Sequence, residues 1–126
     1  MRIILTGGIT GGHIYPALAI GDKFKEMDPE CEILYIGNER GMENEIVPKQ
    51  SYRIMKKFRP DIVISTGSYV SVPVVLAAHK YGAKVFIHEQ NAYPGMANRF
   101  LSQYAEMVFL GFEDAGKFFK QNRKLQ

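Results

Sequence analysis

The sequence predicts a single α/β domain with a parallel sheet and helices on both faces. Three observations carry this prediction. Short runs of Ile, Val, Leu, Phe and Tyr recur along the chain, longer helix-like segments separate them, and glycine-rich or polar loops follow three of the runs. Strands that alternate with helices pair in parallel. Right-handed crossovers then gather every strand-to-helix loop along one edge of the sheet, where the ligands of such sheets bind.

Taken in order, Arg2 to Thr6 reads as a short buried strand and Gly7 to His13 as a loop. Ile14 to Met27 reads as a helix with Pro16 in its first turn and Ile14, Ala17, Leu18, Gly21 and Phe24 on one face. Further strands are expected at Cys31 to Gly37, Asp61 to Ser65, Lys84 to His88 and Glu106 to Leu110. Val70 to Tyr81 is apolar nearly all round, which predicts a well-buried helix, and Pro94 is expected to open a helix that runs to Tyr104. Between Gly41 and Arg59 a helix-like segment, Met42 to Val47, meets Pro48 and gives way to another, Tyr52 to Phe58, with no strand between them. Lys117 to Gln126 reads as a final short helix that frays.

The 126 residues suffice for one core and are too few for two full domains, and 46% hydrophobic with 23% charged residues is ordinary globular composition. A formal charge of +3 and a pI near 9.0 lean toward anionic partners without separating nucleic acid, phosphorylated metabolites and acidic lipid. The lone Cys31 excludes an internal disulfide and reads as a small buried hydrophobe, in keeping with a reducing compartment. The first residues lack the apolar region of a secretory signal, and no stretch is long enough to span a bilayer, so any membrane contact is expected to be peripheral.

The chemistry concentrates in the three loops. Gly7-Gly8-Ile9-Thr10-Gly11-Gly12-His13 joins a strand to a helix, so backbone N–H groups and the helix dipole converge where an anion could sit. Ile9 stands where the dinucleotide fingerprint needs its middle glycine, and a P-loop lysine is missing. The glycines serve either a tight turn alone or contact with an anion or sugar; His13, at the helix start, is either a spectator or a base or hydrogen-bond donor. In the second loop, Ser65-Thr66-Gly67-Ser68-Tyr69, the hydroxyls either cap the following helix or touch ligand. The third, His88-Glu89-Gln90-Asn91, packs an imidazole, a carboxylate and two amides into four positions, suited to a polyhydroxyl substrate. A metal site at His88 and Glu89 lacks a matching ligand pair elsewhere, so no metal and no cofactor are expected.

Together the segments GGITGGHIYPALAI, STGSYVSVPVVLAA and HEQNAYPGMANR resemble the N-terminal half of the MurG family, transferases that move N-acetylglucosamine from UDP onto lipid I in peptidoglycan synthesis. The resemblance implies a Rossmann-like sheet, the acceptor-binding half of a GT-B glycosyltransferase, over residues 1–126 with the donor-binding domain absent. It implies acceptor diphosphate near Gly7, Gly8, Thr10, Gly11 and Gly12, with His13 as candidate base or stabiliser. Thr66, Gly67, Ser68 and Tyr69 correspond to the family's second glycine loop, and His88, Glu89, Gln90 and Asn91 to a segment implicated in acceptor binding and catalysis. The implied partners are lipid I, UDP-N-acetylglucosamine through the absent half, and an anionic membrane surface, with no nucleic acid. The implied location is peripheral, on the cytoplasmic face of the bacterial inner membrane.

Two departures stand out. Ser68 and Val72 occupy positions where the family usually has glycine, and at Gln50-Ser51 the family has several dozen further residues, including a strand and part of a helix. The chain is therefore expected to be a trimmed or internally deleted form, or an ordered subset of a longer chain. Two rivals remain at this point: a non-catalytic anchoring subunit of a two-subunit transferase, and a nicotinamide-dependent dehydrogenase with Glu39 holding a ribose.

Overall fold

The computed structural model describes residues 1–8, 11–37, 48–119 and 126. Among them lie β1 (Arg2–Gly7), α1 (Gly11–Met27), β2 (Glu32–Ile36), α2 (Pro48–Phe58), β3 (Ile62–Gly67), α3 (Ser71–Tyr81), β4 (Lys84–Glu89), α4 (Met96–Leu101) and β5 (Met107–Leu110). A short 3-10 turn, Ser102–Tyr104, prolongs α4, and another, Glu113–Phe118, follows β5. The five strands form one wholly parallel sheet in the order β2-β1-β3-β4-β5.

Alternation along the strands splits the core in two, because successive side chains of a strand leave by opposite faces. Ile3 and Leu5 meet Ala17, Cys31 and Ile64 beneath α1, while Ile4, Val63, Val85, Ile87 and Val108 meet Met55, Val74, Val75 and Leu101 beneath α2, α3 and α4. Each of these large side chains contributes roughly 1.5–3 kcal/mol on burial. Helix α1 seats closely because Gly21 faces Leu5, whose Cδ1 would lie 3.0 Å from a Cβ placed there. Leu18, expected on that face, is instead 48% exposed, and Ile20 packs in its stead. At 100° per residue Leu18 points well to one side of the stripe centred on Ala17, Gly21 and Phe24.

Other differences are local. Helix α1 reaches back to Gly11, so Pro16 lies inside it and cannot donate to the carbonyl of Gly12. Helix α2 reaches back to Pro48, a residue suited to a first helical position. Pro94 precedes α4 rather than opening it; Gly95 is the N-cap. The expected helix at Met42 to Val47 lies outside the described residues. Of the terminal helix expected over Lys117 to Gln126, residues 120–125 lie outside the described residues, and Glu113–Phe118 is a 3-10 turn. Beyond it Gln126 lies against β5, its N–H donating to the Val108 carbonyl at 2.8 Å and its carbonyl accepting from Leu110 N at 2.6 Å. No helix among the described residues is long and apolar enough to cross a membrane.

Candidate functional site at the switch point of the sheet

Strand β1 has β2 on one side and β3 on the other, so the chain leaves these central strands in opposite directions and opens a crevice at their carboxyl ends. The loop before α1, the loop before α3 and the loop after β4 converge there. Their junction is irregular. Thr6 pairs with Ser65 but Gly7 pairs with Gly67, which makes Thr66 the extra residue of a bulge, a device that re-aims side chains.

Thr66 uses that placement to reach α1: its hydroxyl donates to the His13 carbonyl at 2.6 Å. The same oxygen passes so close to Gly7 that a Cβ on Gly7 would lie 2.2 Å from it, leaving no room for a side chain. Gly7 is also held from the other side, where the Tyr35 hydroxyl of β2 donates to its carbonyl. Burial pushes the Tyr35 phenol above its ordinary value.

The His13 ring rests on the backbone of Gly67. A Cβ there would lie 2.9 Å from His13 Cδ2 and 3.2 Å from Nε2, and the φ of +114° is itself one that side-chain-bearing residues rarely adopt. Ser68 follows at φ +79°, a left-handed serine in the position where the resemblance expects glycine. Its carbonyl accepts from Ser71 N and from Ser71 Oγ, which ties the turn to α3.

Beneath the loops lies a buried polar brace. Asn98 of α4, 1% exposed, accepts from Ser65 Oγ at 3.1 Å and donates from Nδ2 to the His88 carbonyl and to Glu89 Oε1, both at 3.2 Å. Ser65 Oγ in turn accepts from Gly67 N at 3.2 Å. Glu89, also 1% exposed, accepts from Asn91 N at Oε2 and from Gly95 N at Oε1. The carboxylate expected at the reacting edge is thus turned inward, and it shapes the 91–95 turn that leads into α4. It is also parted from His88, because consecutive residues of β4 leave by opposite faces. Among the described residues no group of three His, Cys, Asp or Glu side chains is placed to hold a metal ion.

Gln90 bridges the second and third loops, donating from Nε2 to the Thr66 carbonyl at 3.0 Å while its Oε1 lies 3.4 Å from His88 Nδ1. His13, Thr66, Gly67, His88, Glu89 and Gln90 therefore belong to one connected assembly with Gly7. Gly8 is buried beside Gly7 at the end of β1, Gly11 and Gly12 form the first residues of α1, and Tyr69 and Asn91 are exposed. Thr10 and Glu39 lie outside the described residues. Asn98 is the residue that reading the sequence misses. Its signal was present: a polar side chain three positions before Leu101 on the buried face of a helix.

A parallel sheet wound on both faces, with its loops assembled at the switch point, defines a Rossmann-like domain. The glycosyltransferase family 28 N-terminal domain matches residues 3–52 and 48–110, and the chain belongs to that family. It is 44% identical over 158 residues to the UDP-N-acetylglucosamine--N-acetylmuramyl-(pentapeptide) pyrophosphoryl-undecaprenol N-acetylglucosamine transferase of Alkaliphilus oremlandii (strain OhILAs), covering 99% of this chain and 43% of the relative. Its structure is similar to that of MurG from Acinetobacter baumannii, with a TM-score of 0.84, 25% identity, and 98% of this chain and 44% of that chain covered. The lipopolysaccharide outer core galactosyltransferase WaaB shares the fold at a TM-score of 0.65 and 15% identity, over 100% of this chain and 44% of that one. The chain thus spans less than half the length of the curated relatives it matches. The two matched pieces overlap at residues 48–52, and the alignment spans 158 residues against the 126 of the chain.

Proposed function

We propose that this chain is the acceptor-side half of an inverting transferase that moves N-acetylglucosamine from UDP-N-acetylglucosamine to lipid I. The carrying observation is the His13 imidazole seated on Gly67 at the switch point, in a chain of this family. An acceptor hydroxyl attacks the anomeric carbon, a base takes its proton and UDP departs. In this reading the start of α1 and the Gly7 to Gly12 loop meet the acceptor diphosphate, where helix N-terminal N–H groups favour negative charge. His13 and His88 serve the reacting hydroxyl, while Thr66, Gly67, Ser68, Tyr69, Gln90 and Asn91 line the acceptor. Glu89, with both oxygens taken by loop N–H groups, holds the loop in shape and does not react.

In this reading donor binding falls to the share of the relatives that this chain does not match. Exposed Lys56, Lys57 and Arg59 at the end of α2 suit a peripheral seat on an anionic membrane surface, at the cytoplasmic face where the acceptor is presented. The test is titration of a soluble lipid I analogue into this chain. Binding that His13→Ala and Asn91→Ala each weaken by about tenfold, roughly 1.4 kcal/mol, is expected. A folded chain that ignores the analogue overturns the assignment.

A further inference from the structure

The Gln90 side chain lies between two groups of different hydrogen-bonding capacity. The Thr66 carbonyl can only accept, so the Gln90 atom 3.0 Å from it is the amide nitrogen, whichever way an amide is first drawn. The opposite end of the amide is then its carbonyl oxygen, and this atom lies 3.4 Å from His88 Nδ1. A carbonyl oxygen also only accepts. The ring nitrogen facing it must therefore carry the hydrogen.

We infer that Gln90 is a positioning residue that holds neutral His88 with its proton on Nδ1, leaving Nε2 as a bare acceptor for a hydrogen-bond donor of the bound molecule. A neutral imidazole has a single N–H, and the partner of one nitrogen decides the state of the other. Unconstrained histidine favours the opposite form, with hydrogen on Nε2. The order of preference is set here by a backbone carbonyl of the second loop, through one amide. The consequence is selective: Nε2 takes a sugar hydroxyl or an amide N–H and offers nothing to a phosphate oxygen, which lacks a hydrogen. This refines the glycosyltransferase reading and rests on it only for the identity of the bound molecule.

The experiment is long-range proton–nitrogen correlation spectroscopy of the 15N-labelled chain under alkaline conditions where histidine is neutral. The expected result is the Nδ1–H pattern for His88. Gln90→Leu removes both contacts at similar volume and should move His88 predominantly to Nε2–H. An Nε2–H pattern in the unaltered chain overturns the inference, as does a pattern unchanged by Gln90→Leu in a folded chain. Should Gln90→Leu not fold, the unaltered chain decides alone. Because this readout needs no substrate, its failure is distinct from failure of the lipid I titration, which would count against the acceptor assignment and leave the tautomer standing.

Discussion

The Thr66 hydroxyl lies 2.6 Å from the His13 carbonyl oxygen, and this bond fastens the bulge of β3 to the first turn of α1. Because Gln90 donates to the backbone carbonyl of the same threonine, one residue communicates with both imidazole-bearing loops. The position of either ring therefore depends on the β1–β3 junction.

The first prediction concerns Gly67. An alanine there meets His13 Cδ2 at 2.9 Å and must hold φ at +114°, a conformation that costs a side-chain-bearing residue about 1–2 kcal/mol. Gly67→Ala should lower the unfolding midpoint and weaken lipid I analogue binding together. Gly95→Ala is the control, since nothing lies within 4 Å of a Cβ at that position. It should change stability by no more than about 1 kcal/mol, the scale of an altered helix N-cap, and leave His13 undisturbed.

Asn98→Leu should cost about 2–4 kcal/mol in denaturant unfolding. It keeps the branched shape but strips partners from the Ser65 hydroxyl, the His88 carbonyl and Glu89 inside the protein. Asn98→Asp should be worse, because it sets a second carboxylate where Nδ2 now lies 3.2 Å from Glu89 Oε1. Equal tolerance of both substitutions would show that the brace contributes nothing.

Ser68→Gly should stabilise the chain by about 1 kcal/mol. The change relieves φ +79° and removes a buried hydroxyl that has no hydrogen-bond partner, while the carbonyl that serves Ser71 stays in place. A lower unfolding midpoint in this variant would contradict the strain assigned to the serine.

Tyr35 predicts a loss of stability in alkali. Its phenol is raised above the ordinary 10.0 by burial, so its contribution is whole below about pH 10 and is lost as pH climbs through the folded-state value. Tyr35→Phe should remove that part of the decline, seen by comparing unfolding midpoints on either side of pH 10.

The sheet and the loops along its edge were legible because their signals are local. Apolar runs such as Ile3-Ile4-Leu5 and Val63-Ile64 bury both faces of a strand, and Gly7 and Gly67 mark turns that a side chain would block. Strand ends were less legible: β3 and β4 run on to Gly67 and Glu89, since the polar residues that read as loop still pair with neighbouring strands or lie buried beside them. Leu18 and the orientation of Glu89 were hidden for a different reason. Which side of a residue faces protein depends on partners in other elements, and Asn98 of α4 holds the Glu89 carboxylate of β4 inward.

The wholly parallel sheet also bears on how the chain is made. No neighbouring strands are joined by a hairpin, and Ile3 finds its second strand partner only at Ile62. During synthesis at about 5–20 residues per second, β1 waits on the order of several seconds for that partner to emerge. Through this interval Ile3, Ile4 and Leu5 remain incompletely covered, the exposure that slow pairing of distant parallel strands entails.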